Sequence, residues 1–194
     1  MPITPDSYGG TVTAPVTVRP TTEDDWERIR DLRLEMLRDT PLAYVETLET
    51  AQAHGAEEWR TRGRRGTAER WLLLAAITPD DRWVGMMGCY VPDAASGPLL
   101  IGVYVAPDHR GRAAGVTDAL LSAVEAWARE HGGMLRLHVH EDNARARAAY
   151  ASRGFVETGV TEPYSLDPSQ RELEMLKQLQ PVSRAAARSG SMPP

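Results

Sequence analysis

The feature that most narrows how this chain can fold is the stretch Leu99–Gly115, reading LLIGVYVAPDHRGRAAG. Its first half, Leu99 to Val105, is apolar, β-branched or aromatic apart from Gly102, and it stops at Ala106-Pro107-Asp108. A short apolar run closed by turn residues reads as a buried strand. The second half, Arg110 to Gly115, is small and basic, and behind it Val116, Leu120, Ala123, Val124 and Trp127 recur at helical spacing. A strand that feeds a small-residue loop and then a helix start is a device for holding phosphate. The N–H groups of a first helical turn have no partner inside the helix and point outward. The helix dipole adds partial positive charge there, and glycine and alanine let an anion approach the backbone. Arg110 and Arg112 add two permanent charges. A tight strand-to-helix turn with two solvated arginines is the plainer reading of the same residues.

Around this stretch the chain alternates strands and helices. Met1–Pro15, rich in Pro, Thr and Gly, reads as a flexible tail, and Val16–Arg19 as a first strand. Thr22, with Asp25 three residues on, looks like a capping box for a helix carrying Trp26, Ile29, Leu32, Met36 and Leu37 to about Arg38. Between Pro41 and Gly66 a second helix is expected, with Gly55 as a point where it could break. The basic run Arg60, Arg62, Arg64 and Arg65 reads as its solvated end, where cations are favoured. Trp71–Ile77 and Trp83–Val91 form a hairpin, and Pro92–Pro98 turns into the organising strand. The helix from Gly115 ends at Gly132-Gly133. Met134–His140 alternates as a strand, Asp142 or Asn143 caps a short helix through Ser152, and Phe155–Val160 is a strand. Glu162–Gln170, with two prolines, reads as a loop, Arg171–Leu179 as a last strand, and Pro181–Pro194 as a disordered tail. The order is βααβββαβαββ, an α/β sandwich around one mixed sheet, formed by a single domain over residues 16–180.

The net charge of −5 argues against nucleic acid as the main partner and sits well with a cationic small substrate. Cys89 is the only cysteine, so no intrachain disulfide forms, and a buried core thiol in a cytoplasmic setting is expected. No apolar run approaches the ~18 residues that a membrane span needs, and the N-terminus lacks a signal pattern, so no membrane partner is expected.

The loop lacks the Lys-Ser/Thr of a P-loop and the G-x-G-x-x-G spacing of a dinucleotide fold. It resembles the acetyl-CoA loop of the GNAT superfamily of N-acetyltransferases: Arg or Gln, two residues, Gly or Ala, one residue, Gly or Ala, here Arg110, Ala113 and Gly115. A second constellation, Leu137-His138-Val139 followed by Asn143, Ala148, Tyr150 and Gly154-Phe155, resembles the later half of the same superfamily. The resemblance spans Val16 to Leu179. It implies a GNAT-like three-layer sandwich, with a mixed, mostly antiparallel sheet of about seven strands flanked by about four helices. It also implies acetyl-CoA as cosubstrate, no metal, and direct attack on the thioester by a primary amine of a small molecule, amino acid or peptide. On that pattern Arg110, Gly111, Arg112, Ala113, Ala114 and Gly115 hold the pyrophosphate. The backbone of Val103 and Val105, with Tyr104 between them, pairs with the pantetheine amides, which Asn143 also meets. The Val105 N–H stabilises the oxyanion, and Tyr150 binds the thiol end and protonates the departing thiolate. On plainer readings Asn143 only caps its helix and Tyr150 only packs it onto the sheet.

Acetyl transfer needs a neutral amine; at pH 7 that costs an alkylamine about 4–5 kcal/mol unless a base or an apolar pocket helps. Here the sequence departs from better-known members, several of which carry a glutamate early in the organising strand, where this chain has Leu99, Leu100 and Ile101. Glu46, Glu49, His138 and His140 remain as candidates, alongside a water chain, and Tyr164 is expected to line the acceptor site. The sequence leaves open the acceptor amine, the acyl-chain preference and whether the chain forms a homodimer. Two other readings stand beside the enzyme: a non-catalytic acyl-CoA-binding regulatory module, and an interaction domain whose loop takes another anion.

Overall fold

The computed structural model of the protein describes residues 16–93 and 96–179. The tails assigned to 1–15 and 181–194 lie outside the described residues. Seven strands form one sheet in the order β1-β2-β3-β4-β5-β7-β6. They are β1 (Thr17–Pro20), β2 (Trp71–Ile77), β3 (Trp83–Tyr90), β4 (Leu99–Val105), β5 (Met134–His140), β6 (Val156–Tyr164) and β7 (Asp167–Gln178). Every neighbouring pair is antiparallel except β4 and β5. The helices are α1 (Trp26–Asp39), α2 (Leu48–Ala53), α3 (Ala56–Arg64), α4 (Val116–Glu130) and α5 (Ala144–Ala151). The fold is GNAT-like, and the second helical region divides into α2 and α3 because Gly55 becomes the N-cap of a new helix.

Successive residues of β3 face opposite layers. Gly85 lies under Val116 and Leu120 of α4, whereas Met86 faces a cavity shared with Ile29 of α1 and Trp59 of α3. The sheet therefore has an apolar interface on each face, with Met36, Val84, Cys89, Val124 and Leu135 fully buried. Cys89 is a core thiol, and burial pushes its pKa up to about 12. The Thr22–Asp25 capping box is present, and Asp25 also pairs with Arg19 at 2.7 Å.

Two expectations are corrected. Glu162–Gln170 is not a loop: β6 continues to Tyr164 and β7 starts at Asp167, a hairpin with only Ser165 and Leu166 between. Pro163 is tolerated because β6 is the edge strand, where a missing N–H breaks no ladder. Pro168 sits where the register shifts. The arginines after α3 are also not uniformly solvated. Arg64 is exposed and paired with Glu23 and Glu57, but Arg62 and Arg65 turn inward, as described below.

The end of α3 is held by backbone contact. Gly63 and Gly66 lie against the backbone of Thr21 and Thr22, and the buried Thr21 donates its Oγ1 hydroxyl to Gly63 O at 3.0 Å. A Cβ on Gly63 would come within 2.2 Å of Thr22 O, and one on Gly66 within 2.1 Å of Thr21 O. Gly63→Ala should therefore lower stability by about 2–3 kcal/mol through forced backbone displacement, despite alanine's better helix propensity. Urea unfolding checks this, and an unchanged midpoint would show that the contact yields freely.

Candidate functional site

The centre of the site is the seam between β4 and β5. These two parallel strands share one register pair, Leu99 with Arg136, reinforced by the Arg136 N–H donating to Pro98 O at 3.0 Å. Beyond it they part. Gly102, with φ +59°, begins a bulge in which β4 carries one residue more than β3 between the pairs Ile101–Gly88 and Tyr104–Met86. The Ala106 N–H donates to Val84 O at 2.8 Å, so the alternation of the ladder turns the polar groups of Val105 toward the gap. The carbonyls there are already used: Tyr44 Oη donates to Val103 O at 3.0 Å and Arg110 Nε to Val105 O at 2.7 Å.

A cleft of about 380 Å³ follows this open edge. It is walled by Val103, Tyr104, Val105, Arg110, Gly111 and Arg112 on one side and by His138, Asn143, Ala146 and Tyr150 on the other. The loop at its mouth has Gly111 at φ +100° and Gly115 at φ +67°, with a single 3-10 turn, Arg112–Ala114, between them. No side chain caps α4, so the N–H groups of its first turn face outward. Arg112 and Arg145 at the rim have no ion-pair partner among the described residues. Arg110 differs from expectation: its guanidinium is folded inward between Val105 O and Asp39 and braces the loop against α1. Tyr104 Oη likewise donates to Glu35 of α1 at 2.9 Å. Asn143 caps α5 by accepting from the Ala146 N–H at 3.1 Å. Tyr150 lies edge-on to Phe155 at 5.6 Å, and burial raises its phenol above the ordinary value near 10, so it remains a proton donor at neutral pH.

A second cavity, of about 530 Å³, lies on the α1–α3 side. It shares Ala43, Tyr44, Leu100, Ile101, Gly102 and His138 with the first, so the two meet at the bulge. Its hub is Glu46. Arg62 grips this carboxylate with two hydrogen bonds at 2.8 and 3.0 Å, Arg33 adds one at 2.8 Å and His54 Nε2 one at 2.9 Å. Burial alone would raise the Glu46 pKa, but the two arginines outweigh it and hold it at about 2. So low a value makes Glu46 a poor proton acceptor. Glu49 is exposed on α2 and lines neither cavity. Tyr164 lines neither as well; it is buried, and its hydroxyl donates to Tyr44 O at 2.9 Å, holding the segment that carries Tyr44. His140 is committed: the Asp142 N–H donates to Nδ1 at 3.2 Å and Nε2 donates to Gln170 at 2.6 Å. His138 makes no hydrogen bond among the described residues, only a 3.9 Å approach to Glu162.

Sequence reasoning missed Tyr44, Trp59, Trp71, Arg65 and Glu172 as cavity residues. For Glu172 a signal existed, since its alternation with Leu173 places it on the face of β7 that pairs with the histidine face of β5.

A family model described as the acetyltransferase (GNAT) family matches residues 26–155, about two thirds of the chain. The chain belongs to the GNAT family. Solved structures agree with the GNAT fold. One is the PaiA N-acetyltransferase of Thermoplasma acidophilum, in complex with coenzyme A, at 18% identity and TM-score 0.66, covering 84% of this chain and 98% of that one. Another is a ribosomal-protein-alanine N-acetyltransferase from Brucella melitensis, at 24% identity and TM-score 0.68, with 84% and 99% covered. Nourseothricin acetyltransferase reaches 26% identity and TM-score 0.52 over 58% of this chain and 67% of its own. A search of curated proteins found no match.

The Glu46 cluster sets an acid limit on this GNAT domain. A carboxylate held at about 2, against about 4.5 when unfolded, contributes its full stabilisation above pH ~4.5 and loses it as pH falls toward 2. Glu46→Gln should cost about 2–3 kcal/mol at pH 7, less at pH 3, and so flatten the acid limb of the stability curve. Parallel curves for wild type and variant between pH 3 and 7 would contradict this assignment.

Proposed function

We propose that the protein is an acetyl-CoA-dependent N-acetyltransferase in which a primary amine attacks the thioester directly. The observation that carries the reading is the junction of the two cavities at Gly102 and His138. One cavity begins at an uncapped helix start with unpaired arginines and runs along an open strand edge, which suits a pyrophosphate followed by an amide-bearing arm. The other is an aromatic and charged chamber of the size small-molecule sites have.

On this reading the N–H groups of Gly111–Val116 hold the pyrophosphate, with Arg112 and Arg145 beside it, and Arg110 keeps the loop in shape. The pantetheine arm lies on β4 at Val103 and Val105. Asn143 is kept as a helix cap that also faces the arm. The amine nitrogen attacks the carbonyl carbon and its proton passes to His138. The Val105 N–H, turned into the gap, steadies the oxygen that gains charge. As the C–S bond breaks, Tyr150 gives its proton to the thiolate, yielding the N-acetyl product and CoA. Of the earlier base candidates, His138 is retained because it alone lines both cavities and makes no hydrogen bond among the described residues, with only Glu162 approaching it at 3.9 Å.

Isothermal titration with acetyl-CoA and thiol-release assays over an amine panel test the proposal. Binding with 1:1 stoichiometry and turnover of at least one primary amine are expected. Tyr150→Phe should lower kcat by about 100-fold or more with little change in KM for acetyl-CoA; an unchanged kcat would remove Tyr150 from the chemistry. Gly115→Glu should abolish acetyl-CoA binding, since it sets a carboxylate at the pyrophosphate, while backbone strain at φ +67° costs about 1–2 kcal/mol. Normal affinity in that variant would show that the loop binds something else. Binding without turnover of any amine would replace the enzyme by a non-catalytic acyl-CoA sensor.

A further inference from the structure

The acceptor chamber contains two half-buried charges that the fold leaves unanswered. Arg65, in the 3-10 turn Arg65–Thr67 that follows α3, lays its guanidinium over the Trp71 ring at 4.7 Å. It has no hydrogen bond or ion pair among the described residues. The chamber's other arginines, Arg33 and Arg62, are consumed by Glu46 and Glu58, so Arg65 is the cation left open in that wall. Glu172 of β7 is the opposite case: a chamber carboxylate with no hydrogen bond or ion pair among the described residues, near His138, His140 and Glu162. A guanidinium held in an aromatic, partly desolvated wall gains most from a ligand carboxylate, and a partly desolvated carboxylate gains most from an ammonium.

The two charges also stand apart. Arg65 rests on Trp71 of β2, while Glu172 and His138 belong to β7 and β5. From β2 to β5 the sheet runs through three strand spacings, about 14 Å, of which the side chains span only part. Between them the floor is apolar and aromatic, with Trp71 stacked on Tyr90 at 4.3 Å.

We infer that the acceptor is an extended small molecule with a carboxylate at one end, held by Arg65, and the reactive primary amine at the other, drawn in as an ammonium by Glu172 and handed to His138. This deepens the acetyltransferase reading and rests on it. It excludes simple polyamines, which would bring a second cation to Arg65, and disfavours α-amino acids acetylated at the α-nitrogen, whose charges are too close together.

The test uses matched pairs on the full chain with acetyl-CoA: ω-amino acids of increasing chain length against the alkylamines or diamines of the same length, read as kcat/KM by thiol release. The ω-amino acid should lead by about 10- to 100-fold. Arg65→Ala should erase that lead by weakening only the carboxylated member, with acetyl-CoA affinity unchanged by titration calorimetry. Glu172→Gln should weaken both members of each pair. Equal rates within pairs for the wild-type protein overturn the inference, which keeps it testable even if the Arg65 variant folds poorly. So does an Arg65→Ala effect equal on both members, or no turnover of any pair in protein that binds acetyl-CoA. Failure to bind acetyl-CoA at all sinks the acetyltransferase reading itself.

Discussion

The arrangement of this molecule depends on a pair of strands that begin to join and then stop. β4 and β5 meet at Leu99 and Arg136 and separate beyond, because Gly102 introduces a bulge and Tyr44 and Arg110 take the Val103 and Val105 carbonyls in place of a neighbouring strand. Polar backbone in a sheet interior is costly when unmatched. Donating two side chains to the exposed carbonyls makes the opening tolerable while the N–H groups remain turned to the gap. The loop, the cleft and the junction with the second cavity follow from that separation.

The braces come from distant parts of the sequence, and they share partners. Tyr44 reaches β4 from the segment before α2, while its own carbonyl accepts from Tyr164 at the far hairpin and its ring lies under Arg33 at 4.6 Å. Arg33 in turn holds Glu46, which also gathers Arg62 and His54. Glu46 is thus a structural anion at the wall of the chamber, and its low pKa is the consequence. Each brace closes off a residue that the composition alone offers as a catalyst, which leaves His138, Tyr150, Arg65 and Glu172 as the groups with chemistry to spare. On the proposed reading, selectivity for an acceptor follows from which chamber charges the fold leaves unpaired rather than from how many it contains.

Much of this was legible in the chain itself. Local signals fixed the elements: the apolar run Leu99–Val105, the Thr22–Asp25 box, the Gly132-Gly133 stop and Asn143 ahead of α5 each act within a few residues of where they stand. The reading failed where a residue's role depended on a remote neighbour. Pro163 looks like a loop residue until β6 is seen to be an edge strand, and Pro168 until it is seen to sit at a register shift between β6 and β7. Arg62 and Arg65 look like a solvated helix end until the glycines at 63 and 66 seat that turn against Thr21 and bring the chamber beside them.

The sequence by itself determined the strand–loop–helix unit, the α/β class and the family, because hydrophobic period, caps and small-residue loops are short-range devices that need no partner to be recognised. Tertiary structure alone decided that Arg110 is bonded to Val105 O and Asp39, that Glu46 and His140 are hydrogen-bonded to fixed partners, and that Arg65 lines the cavity that Glu172 also lines. The physical reason is that a charged side chain acts through whichever groups lie within a few ångströms of it. Those groups are set by sheet order and packing across separations of tens of residues, which no local pattern encodes.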